Sequence, residues 1–269
     1  MNVAFAWVAT ALSLLAGSPP PQTLLAAGDI ASCRSGGDEA TAALVAQIPG
    51  TVAVLGDAVY EHGTDAEFRA CYSWRGFRGR TRAALGNHEY SSVGAAPARR
   101  YFRLPSRGYY AYRIGAWQIL VLNSNCVPAG GCERGSPQER WVREQLASDE
   151  SACTLAYWHH ARWSSGLHGS DESMDPIWRT LSAGGADVVL AGHDHHYERF
   201  RPIDGIRSFV VGTGGRSSYP VLRRIAGSEV VNASTYGVLR LTLRPQGYGW
   251  RFLPVAGKSF RDAGSASCR

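Results

Sequence analysis

Short apolar runs recur along the chain, and several of them end in a glycine followed by a polar residue. Thr23–Ala27 is followed by Gly28-Asp29, and Thr51–Leu55 is followed by Gly56-Asp57. A helical stretch from about 38 to 47 separates these two runs. Strand, loop, helix, strand and loop in this order indicate βαβ units with a parallel sheet. Since ligands gather beyond the carboxyl ends of such strands, both aspartates are candidates for one site.

The remaining apolar runs predict further strands separated by three helices. Ser136 and Asp175 are expected to cap two of these helices, with Pro137 and Pro176 in the first turn. The predicted strands are Thr81–Leu85, Tyr109–Ile114, Trp117–Asn123, Thr154–Trp158, Ala186–Leu190, Ser208–Val211, Tyr236–Leu243 and Tyr248–Val255, and the predicted helices are Pro97–Leu104, Ser136–Leu146 and Asp175–Leu181.

Histidines follow two of these strands. Thr154–Trp158 leads into His159-His160, and Ala186–Leu190 leads into Gly192-His193-Asp194-His195-His196. Two imidazoles two residues apart at the end of a strand can converge on one metal ion, although hydrogen-bonded surface histidines would look the same. The strand Thr81–Leu85 adds Gly86-Asn87-His88-Glu89.

Taken singly, each of these loops has a structural alternative, because Asp, Asn and His are common in turns and caps. Independent turns have no reason to repeat Gly-Asp, Gly-Asp, Gly-Asn-His, His and Gly-His-x-His in this order. Carboxylates, an amide and imidazoles together suit a two-metal site, whose ions lie about 3.5–4 Å apart. The sequence therefore predicts a dinuclear centre.

The same motifs resemble the signature of the calcineurin-like metallophosphoesterases. Tyr60, three residues after Asp57, resembles the purple acid phosphatase branch in particular, in its short form without an extra N-terminal β-domain. The resemblance runs from Asp29 to about Arg199. It implies an α/β (α+β) fold: a four-layer α-β-β-α sandwich of two mixed β-sheets flanked by helices.

Carried over by residue, the resemblance implies two metal sites that share Asp57. Fe(III) is expected between Asp29, Tyr60 and His195. A second ion, Fe(II), Zn(II) or Mn(II), is expected between Asn87, His159 and His193. His88 and His168 match substrate-side histidines and are the catalytic candidates, whereas His160 and His196 match no ligand.

Three positions depart from the family pattern, and one of them is Ala156, which stands where the family has valine. Ala31 stands where the family has glycine, and it would be strained if that position needed a positive φ. Gly169 stands where plant members have a further histidine, which leaves substrate preference open. Gly212–Gly215 is read as a plain turn, with a backbone anion site as the alternative.

The expected activity is that of an exported, acid phosphatase-like phosphomonoesterase, in which a hydroxide held between two cations attacks phosphorus in line. A phosphodiesterase or nucleotidase on the same site is the enzymatic alternative. A non-catalytic extracellular protein that binds anions or metal is the alternative from another class. The expected partner is a small phosphorylated substrate; neither nucleic acid nor a membrane is expected, and the oligomeric state stays open.

Charge, length and the N-terminal segment bear on the partner class, the number of domains and the location of the protein. The 269 residues carry a formal net charge of +6, which is read as a basic solvated surface rather than a nucleic-acid patch. Length and a hydrophobic content of 45% fit a single catalytic domain over residues 19–269. Residues 1–18 contain an apolar block from Val3 to Ala16 and are interpreted as a signal peptide, which predicts a secreted or extracytoplasmic protein. An N-terminal strand is the alternative.

Six cysteines support export, because an even number in an exported chain suggests disulfides. Fifteen pairings are possible. Cys126 and Cys132 bracket a Pro/Gly loop and form the firmest pair. Cys33 with Cys71 is plausible, since each follows a proposed ligand loop, and Cys153 with Cys268 then remains. Buried free thiols in a cytosolic protein are the alternative.

Overall fold

The structure is a computed structural model, and it describes residues 19–269. The predicted signal peptide lies outside these residues. The strands are β1 (Gln22–Ala27), β2 (Ala31–Ser32), β3 (Thr51–Leu55), β4 (Val59–Tyr60), β5 (Thr81–Ala84), β6 (Tyr110–Ile114), β7 (Trp117–Val121), β8 (Cys153–His160), β9 (Val188–Gly192), β10 (Tyr197–Phe200), β11 (Arg207–Val211), β12 (Ser228–Asn232), β13 (Gly237–Arg244), β14 (Gly247–Pro254) and β15 (Ala263–Ser267). The α-helices are α1 (Gly37–Ala46), α2 (Asp65–Ala70), α3 (Ala96–Phe102), α4 (Cys126–Ala129), α5 (Pro137–Ser148) and α6 (Asp175–Ala183), and the longest 3₁₀ helix is Ser73–Arg80.

Two large mixed sheets form the centre of the fold. The first has the order β15-β14-β13-β1-β3-β5, and the second has the order β12-β10-β11-β9-β8-β7-β6. Strands β1, β3 and β5 run parallel in the first sheet, as do β7, β8, β9 and β11 in the second. The expected two mixed sheets flanked by helices are confirmed.

Strand β8 shows why the sheets pack as they do. Its side chains alternate between the two faces, as a strand requires. Leu155 and Tyr157 belong to the core between the sheets. Ala156 and Trp158 belong to a second core, shared with Val142 of α5 and with Trp178 and other residues of α6. Because β8 is apolar on both faces, it is covered on one side by the other sheet and on the other side by helices.

The parallel strands explain how distant loops meet. In both sheets they run in neighbouring positions, so their carboxyl ends lie along one edge. The loops after β1, β3 and β5 therefore lie next to each other, and those after β8 and β9 do the same. This edge carries all the loops in which the sequence predicts metal ligands.

The two predicted helix caps have different outcomes. Ser136 caps α5, since its hydroxyl accepts a hydrogen bond of 3.3 Å from the N–H of Glu139. The prediction that Asp175 caps α6 is wrong, because Asp175 is the first residue inside that helix. Its carboxylate accepts hydrogen bonds from Arg162 and Arg179 instead. Paired guanidinium groups outcompete a backbone N–H for this carboxylate.

Three disulfides link the cysteines in the predicted pairs. Their Cα–Cα distances are 5.0 Å for Cys33–Cys71, 5.2 Å for Cys126–Cys132 and 5.5 Å for Cys153–Cys268. The last bond ties residue 268 to the start of β8. Among residues 19–269, no helix has the length and apolar character needed to span a bilayer.

Asp38 in α1 predicts a pH-dependent stability. Its carboxylate is fully buried; Oδ2 accepts one hydrogen bond from the N–H of Ser73, and no partner contacts Oδ1. Burial raises the pKa of Asp38 to about 6. Because this pKa lies above that of the unfolded chain, the proton stabilises the fold below about pH 4, and this stability is lost as the pH rises through about 6.

Asp38→Asn is therefore expected to raise the free energy of unfolding at pH 8 by about 1–3 kcal/mol and to leave it nearly unchanged at pH 4. Urea unfolding at both pH values measures this difference. Glu144→Gln, which removes an exposed carboxylate from another helix, is the control. An equal shift for Asp38→Asn at both pH values would contradict a titrating Asp38.

Candidate metal centre

Three of the predicted ligands form one cluster at the shared edge of the sheets. The phenol oxygen of Tyr60 lies 2.7 Å from Asp29 Oδ1 and 3.1 Å from His195 Nε2. His195 Nε2 lies 3.3 Å from the same Asp29 oxygen. All three side chains are buried. They come from the loops after β1 and β9 and from the end of β4.

The other three predicted ligands form a second cluster beside the first. His159 Nε2 lies 3.1 Å from Asn87 Oδ1 and 3.2 Å from His193 Nδ1. His159 is buried at the end of β8, whereas Asn87 and His193 are partly exposed. The second cluster therefore faces solvent more openly than the first.

Asp57 joins the two clusters. Its Oδ2 lies 2.9 Å from the Tyr60 phenol and 3.1 Å from His159 Nε2. The neighbouring donor atoms in these clusters are thus about 3 Å apart, the separation expected between adjacent corners of a coordination shell with bonds of about 2.0–2.1 Å. Carboxylate, phenol, amide and imidazole donors fit a pair of first-row metal ions. The residues present fit the dinuclear centre predicted from the sequence.

The backbone at this centre is held in a costly conformation. Asp29, Asp57 and His193 have φ values of 59°, 47° and 71°, in the left-handed region that side chains other than glycine rarely adopt. Such strain is typical of functional sites. Ala31, in contrast, lies in the short strand β2 and does not have a positive φ, so the alanine is not strained there.

The glycines before the ligands have a steric reason. A Cβ on Gly56 would lie 2.5 Å from His159 Nδ1, and a Cβ on Gly86 would lie 2.5 Å from the backbone nitrogen of Asp57. Neither distance is possible for a real side chain. Glycine therefore lets neighbouring loops approach closely enough for their side chains to converge.

Hydrogen bonds from the far side orient two of the imidazoles. His159 Nδ1 lies 2.9 Å from the carbonyl oxygen of Leu55, which can only accept, so Nδ1 carries the proton and Nε2 faces the centre. His195 Nδ1 lies 2.7 Å from the hydroxyl of Ser217 and likewise turns Nε2 inward. Contacts of this kind position metal-binding histidines.

Glu89 holds two ligand loops together, a role that the sequence did not reveal. Its buried carboxylate accepts hydrogen bonds from the N–H groups of Asp57 (2.9 Å), Ala58 (2.8 Å) and Gly86 (2.7 Å). Burial, followed by the nearby charge of Asp57, raises the pKa of Glu89 to about 7. Its place at the end of Gly86-Asn87-His88-Glu89 was the available signal.

The electrostatics of the cluster favour cations. Burial opposes ionisation of Asp57, but His159 and then His88 hold the pKa of Asp57 well below its usual range. Despite its burial, His159 has a pKa raised to about 10 by Asp57. Burial, Asp29 and Asp57 raise the pKa of Tyr60 well above its usual value. A phenolate at this position therefore needs a cation beside it.

The two catalytic candidates contact different parts of this network. His88 Nδ1 lies 2.7 Å from the carbonyl oxygen of Glu61, and its Nε2 lies 3.9 Å from Asp57 Oδ2. His168 is exposed, and its ring centroid lies 4.2 Å from that of His193. The N–H of His168 donates to Asp194 Oδ1 at 2.9 Å, which holds the loop in place.

The two histidines without a ligand match have partners of their own. His160 Nδ1 lies 2.7 Å from the hydroxyl of Ser124. His196 is buried with its Nε2 3.1 Å from Glu198. Neither contacts Asp57 within hydrogen-bond distance.

The loop after β11 places two side chains, Tyr219 and Arg216, against the first cluster, and the sequence did not reveal either contact. Tyr219 stacks on His195 with ring centroids 4.1 Å apart and an interplanar angle of 14°. The Arg216 guanidinium lies 5.1 Å from the centre of the Tyr60 ring and pairs with Glu61 at 2.5 Å. Within this loop the N–H groups of Gly212 and Gly214 donate to backbone carbonyls. Two of the four N–H groups of Gly212–Gly215 are therefore already engaged and not free to bind an anion.

Comparisons with known proteins agree with this geometry. The profile of the calcineurin-like phosphoesterase family matches residues 22–197. An uncharacterised protein of Mycobacterium tuberculosis is 27% identical over 71% of this chain and 40% of its own length. Purple acid phosphatase 18 of Arabidopsis thaliana is 27% identical over 40% of this chain and 26% of its own length. The chain thus spans less than half of the curated relatives it matches.

Comparison with solved structures finds the same fold in a purple acid phosphatase. The purple acid phosphatase PPD1 from yellow lupin (Lupinus luteus) seeds superimposes with a TM-score of 0.76 and 17% sequence identity. The match covers 93% of this chain and 55% of the lupin chain. At this identity the likeness establishes the fold. The chemistry depends on the side chains described above.

Proposed function

The chain belongs to the calcineurin-like phosphoesterase family, and we propose that it is an exported phosphomonoesterase with a dinuclear metal centre of the purple acid phosphatase type. The observation that carries this proposal is the position of Asp57, whose Oδ2 contacts both clusters of potential ligands. One carboxylate oxygen between two donor sets is what a bridging ligand requires.

The proposed ligands divide between the two metals. Asp29, Tyr60 and His195 would hold Fe(III), since a phenolate oxygen favours the harder, more highly charged ion. Asn87, His159 and His193 would hold Fe(II), Zn(II) or Mn(II). When bound, the two ions would activate a water molecule near neutral pH and neutralise charge on the phosphate oxygens.

The side chains around the centre have separate tasks in this proposal. His88 carries a proton on Nδ1, held by Glu61, so its Nε2 faces the substrate phosphate. His168 is exposed beside His193 and is placed to donate a proton to the leaving alkoxide. Glu89 keeps the loops of Asp57 and Asn87 in register, and Tyr219 limits access above His195.

Turnover of an aryl phosphate and of a bis-aryl phosphate tests the monoester assignment. With Fe and Zn or Mn present, we expect kcat/KM for the monoester to exceed that for the diester by at least about tenfold, a difference of about 1.4 kcal/mol in transition-state binding. Higher turnover of the diester would indicate a phosphodiesterase. No turnover of either ester by metal-loaded protein would indicate a non-catalytic member of the family.

Tyr60→Phe tests the proposed iron site. The parent protein loaded with iron is expected to show a broad tyrosinate-to-iron band near the middle of the visible range. Tyr60→Phe removes the phenol oxygen and should abolish this band. Tyr219→Phe is the matched control, because its ring stacks on His195 but its oxygen is not among the proposed ligands. A colourless and fully active dizinc protein would place the chain outside the purple branch.

Export is supported by the three disulfides, which persist in oxidising compartments. Fusion of residues 1–18 to a reporter enzyme that folds only after export tests this part of the proposal. Retention of the reporter inside the cell would contradict a signal peptide.

A further inference from the structure

The positive charge of this protein is concentrated in one quarter of the chain. Residues 68–132 contain a single acidic residue, the buried Glu89, and ten arginines: Arg69, Arg75, Arg78, Arg80, Arg82, Arg99, Arg100, Arg103, Arg107 and Arg113. The whole chain has 28 basic and 22 acidic residues, so 18 basic and 21 acidic residues remain elsewhere. The net charge of +6 therefore describes one segment rather than the whole surface.

Three of these arginines have structural partners. Arg80 donates to the carbonyl oxygens of Val45, Ile48 and Gly50 and so closes the end of α1. Arg100 pairs with an aspartate at 2.6 Å, and Arg113 pairs with another at 2.9 Å. Six arginines are exposed and form no ion pair with any of residues 19–269: Arg69, Arg75, Arg78, Arg82, Arg103 and Arg107.

Three of the six line one groove. The groove has a volume of about 640 Å³ and lies between the 3₁₀ helix Ser73–Arg80, the start of β5 and the segment after α3. Arg78, Arg82 and Arg103 line it, together with Phe102 and Tyr110, and no carboxylate does. Arg82 is near the amino end of β5, whereas the proposed ligand Asn87 follows the carboxyl end, so the groove is separate from the metal centre.

Aromatic rings hold two of these guanidinium groups. Arg78 lies over Tyr101, 4.9 Å from the ring centre, and its Nε donates to the Tyr101 carbonyl at 2.5 Å. Arg82 lies 5.8 Å from the centre of the Tyr112 ring. Arginines held in this way lose little entropy when they bind an anion, and the planar guanidinium matches two phosphate oxygens at once.

We propose that this groove, defined by Arg78, Arg82 and Arg103, binds a linear phosphate polymer, for which inorganic polyphosphate is the chemical type. Three arginines in one groove that no carboxylate lines are complementary to closely spaced phosphates, and counterion release drives such binding. This inference depends on the charge distribution and is independent of the proposed hydrolysis.

Two other polyanions fit the groove less well. A nucleic acid strand would need free aromatic faces for its bases. The two rings that line this groove pack against other rings: Phe102 lies edge-on to Tyr101 with centroids 4.9 Å apart, and Tyr110 stacks with Tyr112 at 6.3 Å. A lipid surface is flat and cannot enter a concave groove. The exposed large apolar side chains Val93, Val127, Leu167 and Leu222 are not among the residues that line it.

Binding of inorganic polyphosphate at several salt concentrations tests the proposal. The full chain is expected to bind the polymer with an affinity that falls steeply between about 50 and 200 mM salt. The variant Arg78→Gln/Arg82→Gln/Arg103→Gln should bind at least about tenfold more weakly, and its slope of log K against log salt should be smaller by about 2. Arg201→Gln/Arg251→Gln/Arg261→Gln removes the same charge from exposed sites outside the groove and should lose less than about threefold.

Four results would overturn the proposal. Equal losses in the two triple variants would mean that net charge alone attracts the polymer. Equal or tighter binding of an oligothymidylate of matched charge would indicate a nucleic-acid site. Equal binding to anionic vesicles with the same arginine dependence would indicate a lipid surface. Loss of polymer binding in a folded Asp57→Asn variant would place the polymer at the metal centre instead.

Thermal unfolding of each variant separates lost binding from lost structure. If the groove variant does not fold, Arg82→Gln/Arg103→Gln replaces it, because neither side chain hydrogen-bonds to a different element among residues 19–269. This double variant should bind the polymer at least about fivefold more weakly than the parent, as expected for the loss of two phosphate contacts. Unchanged binding by the folded double variant would refute the groove.

Discussion

Asp57→Asn is expected to lower kcat/KM by about 10³-fold or more while leaving the fold intact. The substitution keeps the shape of the side chain but removes the negative charge between the two clusters. The asparagine NH₂ group cannot accept the contacts that Asp57 Oδ2 makes with Tyr60 and His159. A loss of this size follows when a group that stabilises transition-state charge is removed, and it is larger when a metal is lost as well.

Steady-state hydrolysis of an aryl phosphate, with metal content measured on the same sample, checks this result. Asp187→Asn is the control. Asp187 lies just before β9 and is also buried, but its carboxylate accepts hydrogen bonds from the N–H groups of Thr154 and Arg269. It should stay within about threefold of the parent activity. A folded Asp57→Asn protein with activity within tenfold of the parent would show that this carboxylate is not the bridge.

Metal removal is expected to lower the melting temperature by about 8–16 °C. The buried carboxylates of Asp29 and Asp57 both lie against the Tyr60 phenol, so cations bound there would offset the repulsion between their charges. A metal at about 1,000 times its dissociation constant adds about 4 kcal/mol to the free energy of unfolding. For a chain of this size, each kcal/mol shifts the melting temperature by about 2–4 °C.

Thermal unfolding with chelator, and then with iron, zinc or manganese restored, measures this shift. Asp57→Asn serves as the comparison. A chain without the carboxylate shared by the two proposed metal sites should show a much smaller shift in melting temperature. An unchanged melting temperature in chelator, with loss of the metals and of activity verified on the same sample, would rule out a structural contribution from the metals. The stability of the fold would then not depend on the metal centre.

The predicted ligands could be found in the sequence because each belongs to a short local motif. Gly28-Asp29, Gly56-Asp57 and Gly192-His193 place a potential metal-binding side chain directly after a strand. Because the strands run parallel, their carboxyl ends lie at the same edge of the sheet. The glycines are part of the same signal, since Gly56 and Gly86 have space for no side chain. The pair Cys126–Cys132 could be predicted because the two cysteines bracket a short Pro/Gly loop, and Cys153–Cys268 followed once Cys33 had been paired with Cys71.

Other features depended on contacts between residues far apart in the chain. Strands β10, β12 and β15 are not predicted from the sequence: β12 and β15 are edge strands, and β10 lies between β12 and β11. Propensity is weak in such segments, and tertiary pairing decides. Asp175 failed as a cap for the same reason, since Arg162 from another loop bonds its carboxylate.

The sequence by itself determined the family, the two mixed sheets and the identity of the residues that gather at their edge. Only the tertiary structure decided how those residues are held. It placed Glu89 under two loops, Tyr219 against His195 and unpaired arginines along one groove. The physical reason is that a ligand after a strand is a local pattern. A hydrogen bond, a stacked ring or an unpaired charge, in contrast, depends on neighbours that only folding brings together.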